Sequence, residues 1–153
     1  MRFEEIMEAI ESSGMYMAVD FTEATQRAIA EYSEIAKVPD PVIAPSLHCT
    51  LVYSRTKVPM EPSHDCNYEI AKVKGLELWP VADGKNVLVL TLESKYLTNR
   101  FNEAISLGAT YDYDEYKPHI TLSYDAGDFD IASAPPITFD VELNSEYIEE
   151  LVH

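Results

Sequence analysis

Apolar positions along the chain change period several times, and the changes divide it into elements. Phe3, Ile6, Met7 and Ile10 recur at helical spacing ahead of Gly14, which predicts a short amphipathic helix over 2–13. From 15 to 21 the period drops to two. Met15, Met17 and Val19 alternate with Tyr16, Ala18 and Asp20, as in a strand with one buried face. Thr22 is placed to cap a helix over 24–36 that carries Ala24, Ala28, Ile29, Tyr32, Ile35 and Ala36, and Pro39 and Pro41 end it. A β-branched run at 46–54 reads as a strand, 55–67 as a polar loop with Pro59 and Pro62, and 68–79 as a strand broken at Gly75. Asp83-Gly84 is a hairpin signal before a strand at 86–92, which is apolar on both faces and therefore central. Ser94 caps a second helix over 95–107 with Leu97, Phe101, Ala104, Ile105 and Leu107, stopped by Gly108. A Tyr/Asp-rich loop at 110–116 follows, then a strand at 117–124, a loop at 126–136, and strands at 137–143 and 146–152.

The order strand–helix–strand occurs twice, roughly over 15–54 and 86–124. The predicted fold is therefore α+β and bilobal: one domain over 1–153, with two pseudo-symmetric sheet-plus-helix lobes around a central groove. The halves share little sequence except at the last strand of each. There, Ser46-Leu47-His48-Cys49-Thr50-Leu51-Val52-Tyr53-Ser54 is matched by Lys117-Pro118-His119-Ile120-Thr121-Leu122-Ser123-Tyr124. Both contain His-x-Thr-Leu-x-Tyr. In an extended strand His and Thr share a face and the residue between them takes the other. If the two strands are neighbours, His48, Thr50, His119 and Thr121 converge on one cleft. One His as base, one as acid and two hydroxyls as donors to phosphate oxygens suit proton transfer at a phosphodiester. A single His-x-Thr arises easily by chance. The recurrence in the same register is the informative feature.

Charge narrows the partners. The net charge is −16, from 27 acidic and 11 basic residues, with no basic cluster. Long nucleic acids are held largely by cationic surfaces, so a duplex or long RNA is disfavoured, and so is an anionic membrane. A small anionic ligand needs only a few local donors. Apolar residues make up 46% of the chain, and no run approaches the roughly 20 needed to span a bilayer. Met1-Arg2-Phe3-Glu4-Glu5 has no apolar core behind a basic stretch, so no secretory leader and a cytoplasmic location are expected, with Cys49 and Cys66 as thiols.

Other candidates are weaker. His64-Asp65-Cys66 invites a metal reading, but with His48 and Cys49 it has no recognised ligand spacing, and Cys49 faces away from His48. That orientation also disfavours Cys49 as a nucleophile. No metal, other cofactor or protein partner is implied. Arg55 and Lys117 flank the motif strands, as groups in reach of a phosphate or as solvated charges. Tyr111, Tyr113, Tyr116 and Tyr124 cluster around the second motif.

The paired motifs resemble those of the 2H phosphoesterase superfamily, with Pro118-His119-Ile120-Thr121-Leu122 especially similar to its second motif. The resemblance implies a pseudo-twofold bilobal fold and metal-independent cleavage of a phosphodiester, with His48, Thr50, His119 and Thr121 as the catalytic set. Within the superfamily the chain resembles the phage anti-CBASS phosphodiesterases, which degrade the cyclic oligonucleotides that signal bacterial immunity. Tyr16 in Gly14-Met15-Tyr16-Met17, Trp79 in Glu77-Leu78-Trp79-Pro80, and an acid near the C-terminus carry this finer likeness. The acid is matched to Glu146, with Glu142 as the fallback. The expected substrate is a small cyclic nucleotide such as cyclic GMP–AMP, met in the host bacterial cytoplasm if the gene is a phage's. Tyr16 and Trp79 would stack on bases and Glu146 would accept from a base edge; by residue type alone Trp79 also reads as a core residue and Glu146 as a solvated charge. A 2′,3′-cyclic phosphodiesterase acting on RNA ends is the alternative enzyme, and a non-catalytic cyclic-nucleotide sponge is the alternative outside catalysis.

Overall fold

The computed structural model describes residues 14–151, so the predicted helix over 2–13 and His153 lie outside the described residues. Six strands and two helices occur among the described residues: β1 (Gly14–Phe21), α1 (Glu23–Ile35), β2 (Cys49–Ser54), β3 (Ile70–Pro80), β4 (Asn86–Glu93), α2 (Lys95–Ser106), β5 (His119–Ser123) and β6 (Val141–Leu151). The strands close a ring in the order β1-β2-β5-β4-β3-β6, and every pairing is antiparallel.

The ring is unevenly sewn. Long pairings hold β6-β1-β2 together on one side and β3-β4-β5 on the other. The halves meet along two narrow seams: one register pair, Cys49 with Ile120, between β2 and β5, and two, Ile70 with Glu142 and Ala71 with Val141, between β3 and β6. These halves are the two expected lobes, each with its strand–helix–strand unit, β1-α1-β2 and β4-α2-β5.

Local signals explain the elements. The Thr22 hydroxyl accepts from Thr25 N at 3.4 Å and the Ser94 hydroxyl from Leu97 N at 3.1 Å, so each helix starts on its predicted cap. Asp83 and Gly84 both have positive φ, 73° and 74°, as a tight turn between antiparallel strands requires. Gly75 sits at a register shift in β3, where the pairing skips a residue after Val73. Met17, Val19, Phe21, Leu51, Leu88, Leu90, Ile120, Leu122 and Leu143 are fully or almost fully buried in one core cluster. On β4, Leu88 to Leu92 is buried throughout, as expected of a strand covered on both faces.

Three expectations need correction. Ile35 is 69% exposed and Ile105 and Leu107 are 40% exposed, because the helices present other apolar positions to the interior, Ile29 and Tyr32 on one and Tyr96, Leu97 and Ala104 on the other. The motif strands are shorter than predicted, and Ser46 closes a helical turn, Ala44–Ser46, before the chain extends. The strands predicted at 137–143 and 146–152 are one strand, β6, which begins only at Val141. The polar pair Asn144-Ser145 reads as a turn in sequence. It is instead an irregular step within β6, where the Asp20 carboxylate accepts from Asn144 Nδ2 at 3.1 Å and from Ser145 N at 3.0 Å.

A buried ion pair ties the 55–69 connection to the ring. Glu146 is 0% exposed, and its carboxylate accepts from Arg100 Nη2 at 2.5 Å and Nε at 2.8 Å, from Tyr96 OH at 2.5 Å and from Ser63 N at 2.8 Å. Arg100 also donates to Glu61 O at 2.8 Å. One carboxylate thus joins β6, α2 and the connection. Removing one partner of a buried pair strands the other charge, so Arg100→Ala is expected to cost about 3–5 kcal/mol in a denaturant melt. Arg27→Ala, which breaks the solvent-exposed pair with Glu23, should cost less than about 1 kcal/mol.

Candidate active site

The groove is built on the β2–β5 seam. Cys49 and Ile120 are paired there, and both are 0% exposed. Antiparallel register then sets His48 across from Thr121 and Thr50 across from His119. All four of these residues are half-buried on the face opposite the core. The narrowest contact between the lobes therefore carries both motifs.

Each imidazole is held the same way. His48 Nδ1 donates to Ser46 O at 2.9 Å, and His119 Nδ1 donates to Lys117 O at 2.8 Å, two residues back in each case. A carbonyl only accepts, so the neutral ring keeps its proton on Nδ1 and presents an unprotonated Nε2. The Thr50 and Tyr16 hydroxyls share a hydrogen bond of 2.9 Å, and the Tyr116 hydroxyl donates to Thr50 O at 2.9 Å.

A matched pair of β-bulges shapes the rest of the floor. Met17 pairs with Val52 and Ala18 with Thr50, so Leu51 is an extra residue in β2. Leu88 pairs with Ser123 and Val89 with Thr121, so Leu122 is an extra residue in β5. Each bulge turns two successive residues inward, Leu51 and Val52 or Leu122 and Ser123, all 2% exposed or less. The tyrosine three residues after each Thr therefore returns to the Thr face, leaving Tyr53 60% and Tyr124 55% exposed. Strict alternation would have sent both rings to the other face.

Aromatic rings flank the two histidines. Tyr16 on β1 stands edge-on to His48 with centroids 6.3 Å apart, and Trp79 on β3 stands 4.5 Å from His119 at 64°. Trp79 Nε1 donates to Glu77 Oε1 at 2.7 Å. Three cavities run along the groove. One of about 540 Å³ surrounds His48 with Tyr16, Asp20, Tyr53, Tyr147 and Glu149. One of about 730 Å³ lies beside His119 with Trp79, Tyr113, Asp114, Glu115 and Lys117. A third of about 420 Å³ links them, lined by Thr50, Tyr53, Asp112, Tyr116, Lys117 and His119.

The electrostatics separate reactive from inert groups. Burial, with the proximity of His48 adding to it, holds His119 below the ordinary imidazole range against the opposing bond to Lys117 O. Burial pushes the Cys49 thiol up to about 12 and the Tyr16 phenol to about 12. Cys49 is thus a buried, protonated thiol beneath the floor, and Cys66 is likewise buried and free. Among the described residues no three His, Cys, Asp or Glu side chains converge as a metal centre would require, and His64 is exposed on its loop.

Of the positions singled out in the sequence, His48, Thr50, His119, Tyr16 and Trp79 line the groove's cavities, and Thr121 is set beside them by register, across from His48 on the same strand pair. Glu146 does not. Fully buried and bonded to Arg100, Tyr96 and Ser63, it has no free acceptor face for a ligand, and the expectation that it meets a base edge is corrected. Glu142, the fallback, lies at the β3–β6 seam and lines none of the three cavities. The carboxylate on the groove face of β6 is Glu149, beside Tyr147. The irregular step at Asn144-Ser145 shifts the alternation of β6, and strand periodicity read from the sequence cannot see it. Arg55 lines none of the three cavities and pairs instead with Asp112 at the wall of the linking one, its own side chain 69% exposed. Sequence reading also missed Tyr53 as a wall residue, although the Thr-Leu-x-Tyr spacing common to both motifs marked its position.

Comparison with known proteins gives the family and the fold. The family described as anti-CBASS protein Acb1 matches residues 13–153. The anti-CBASS protein Acb1 of Enterobacteria phage T4 is 42% identical over 140 residues, covering 92% of this chain and 90% of that protein. The one from Escherichia phage RB16 is 41% identical over 142 residues, covering 92% and 81%. Among solved structures, E. coli LigT complexed with 3′-AMP superposes with a TM-score of 0.51 at 15% identity, over 89% of this chain and 86% of that one. LigT complexed with phosphate gives a TM-score of 0.50 at 18% identity, over 90% and 86%. The fold is thus that of LigT, and the match across nearly the whole chain places it in the family of anti-CBASS protein Acb1.

Proposed function

We propose that the protein is a metal-independent phosphodiesterase that hydrolyses 3′–5′ bonds of cyclic di- or oligonucleotides, and so removes the signal on which CBASS immunity depends. The carrying observation is the pair of imidazoles, each fixed through Nδ1 to a carbonyl two residues back and facing one groove. Family membership supports the reading, because the anti-CBASS relatives match nearly end to end. So do the aromatic rings beside each histidine, since a two-nucleotide ring has two base faces to stack.

His119 is the better general base, because its burial favours the neutral ring. Its Nε2 takes the proton from the attacking oxygen, either water or a neighbouring ribose 2′-hydroxyl. That oxygen bonds to phosphorus as the bond to the leaving ribose oxygen breaks. Protonated His48 gives its Nε2 proton to the leaving oxygen. Thr50 and Thr121 donate to the phosphate oxygens as their charge grows. The Tyr16 hydroxyl, bonded to Thr50 and kept protonated by its burial, fixes the direction of that donor.

Turnover of 3′,3′-cyclic GMP–AMP in EDTA tests the reading beside a 2′,3′-cyclic nucleotide. The dinucleotide should be cleaved, and His48→Ala or His119→Ala alone should each lose more than about a hundredfold in kcat. Near-full activity of either variant would remove the paired acid–base scheme. Cleavage of only the 2′,3′-cyclic substrate would move the protein to RNA-end processing, and tight binding without turnover would make it a sponge.

The proton roles have their own signature. His119 should titrate by NMR below the ordinary imidazole value of about 6.5, and His48→Ala should raise its midpoint by removing a like charge. A lowered pKa keeps the base neutral further into acid, so the acidic limb of kcat/KM should lie below that value. The unfolded chain takes up this proton first. The fold is therefore fully favoured by this group above pH ~6.5 and loses that contribution as pH falls through the His119 midpoint. Trp79→Ala should raise KM for the dinucleotide roughly tenfold, as expected for losing one base stack.

A further inference from the structure

Lys117 breaks the symmetry of the groove. It stands two residues before His119, where the first motif has Ser46, and both backbone carbonyls hold an imidazole Nδ1. The side chains differ. Lys117 lines both cavities on the His119 side, and it is the one Lys or Arg among the described residues lining the three cavities.

In the cavity beside Trp79 it shares the wall with Asp114 and Glu115, so its charge acts chiefly in the linking cavity. Asp112 is the acid lining that cavity, and Arg55 pairs with it. No ion pair joins the Lys117 ammonium to another described residue. Its backbone is fixed on both sides. Tyr116 stacks on Phe101 at 4.4 Å and 3° and donates to Thr50 O, while the carbonyl of Lys117 itself holds His119. On the His48 side the lining charges are the carboxylates of Asp20 and Glu149. An anion beside the reacting phosphate thus has one favourable direction, toward Lys117.

We propose that Lys117 anchors a second phosphate of the substrate, next to the one between His48 and His119, and so makes the groove select molecules with two phosphodiester linkages over those with one phosphate. The inference rests on the phosphodiesterase reading and adds to it the basis of selectivity. Ser46 has no charge to offer, so the substrate is also oriented within a pseudo-symmetric floor.

The test separates this proposal from the activity itself. KM for 3′,3′-cyclic GMP–AMP, and its Kd by calorimetry in the slow His48→Ala background, are compared with Kd for 2′,3′-cyclic AMP. Lys117→Gln should weaken the dinucleotide at least about tenfold, as expected for losing a bond to a charged group, and leave the single-phosphate ligand nearly unchanged. Lys117→Arg should keep most of the affinity, and all variants should melt with the parent. An unchanged dinucleotide affinity, or equal losses for both ligands, would overturn the anchor. Lys117-dependent binding by a wild type that does not turn the dinucleotide over would keep the anchor and remove the phosphodiesterase reading. No binding and no turnover would overturn both.

Discussion

The seam between β2 and β5 is the constraint on which the site depends. One register pair, Cys49 with Ile120, joins the lobes there, and the residues on either side of it are the two histidines and two threonines. Had the strands met one residue out of register, the polar face of one would oppose the apolar face of the other. The burial of Cys49 and Ile120 thus decides which side chains remain outside. In each motif the bond from Nδ1 to the carbonyl two residues back then fixes ring orientation and tautomer together. Packing supplies the location, and a local hydrogen bond supplies the chemistry.

The halves are alike in backbone and unlike in charge. Both contain a bulge after the threonine, an outward tyrosine and an aromatic ring beside the histidine. Each wall contains two carboxylates, Asp20 and Glu149 around His48 and Asp114 and Glu115 around His119, but only the second also contains an indole and a lysine. A symmetric backbone suits a substrate of two linked nucleotides. In the proposed reading, the unequal walls orient that substrate over the two histidines. The buried Glu146–Arg100 pair belongs to the scaffold: it holds the long connection against β6 and α2, leaving the groove walls to other residues.

Much of this was legible in the sequence, and the exceptions share a cause. Alternation at 15–21, the caps Thr22 and Ser94, and the turn at Asp83-Gly84 all act within a few residues, and each stands where the local signal put it. The doubled His-x-Thr was readable because two residues apart means the same face. What failed depended on a residue far away in the chain. Asp20 captures Asn144 and Ser145, so a polar pair that looks like a turn stays in a strand and the next acid, Glu146, turns inward. The sequence shows a carboxylate near the C-terminus, but not that Arg100 waits for it. The two readings of Arg55 stayed open in the sequence for the same reason, its partner Asp112 lying 57 positions further on.

Cys49 lies at the meeting point of the lobes, fully buried and with its thiol held in the protonated form. In the closed structure it is invisible to an alkylating reagent. Labelling requires the two strands to part, because only then does the sulfur meet water and ionise. The residue that takes no part in the proposed chemistry is therefore a built-in clock for the opening of the site above it.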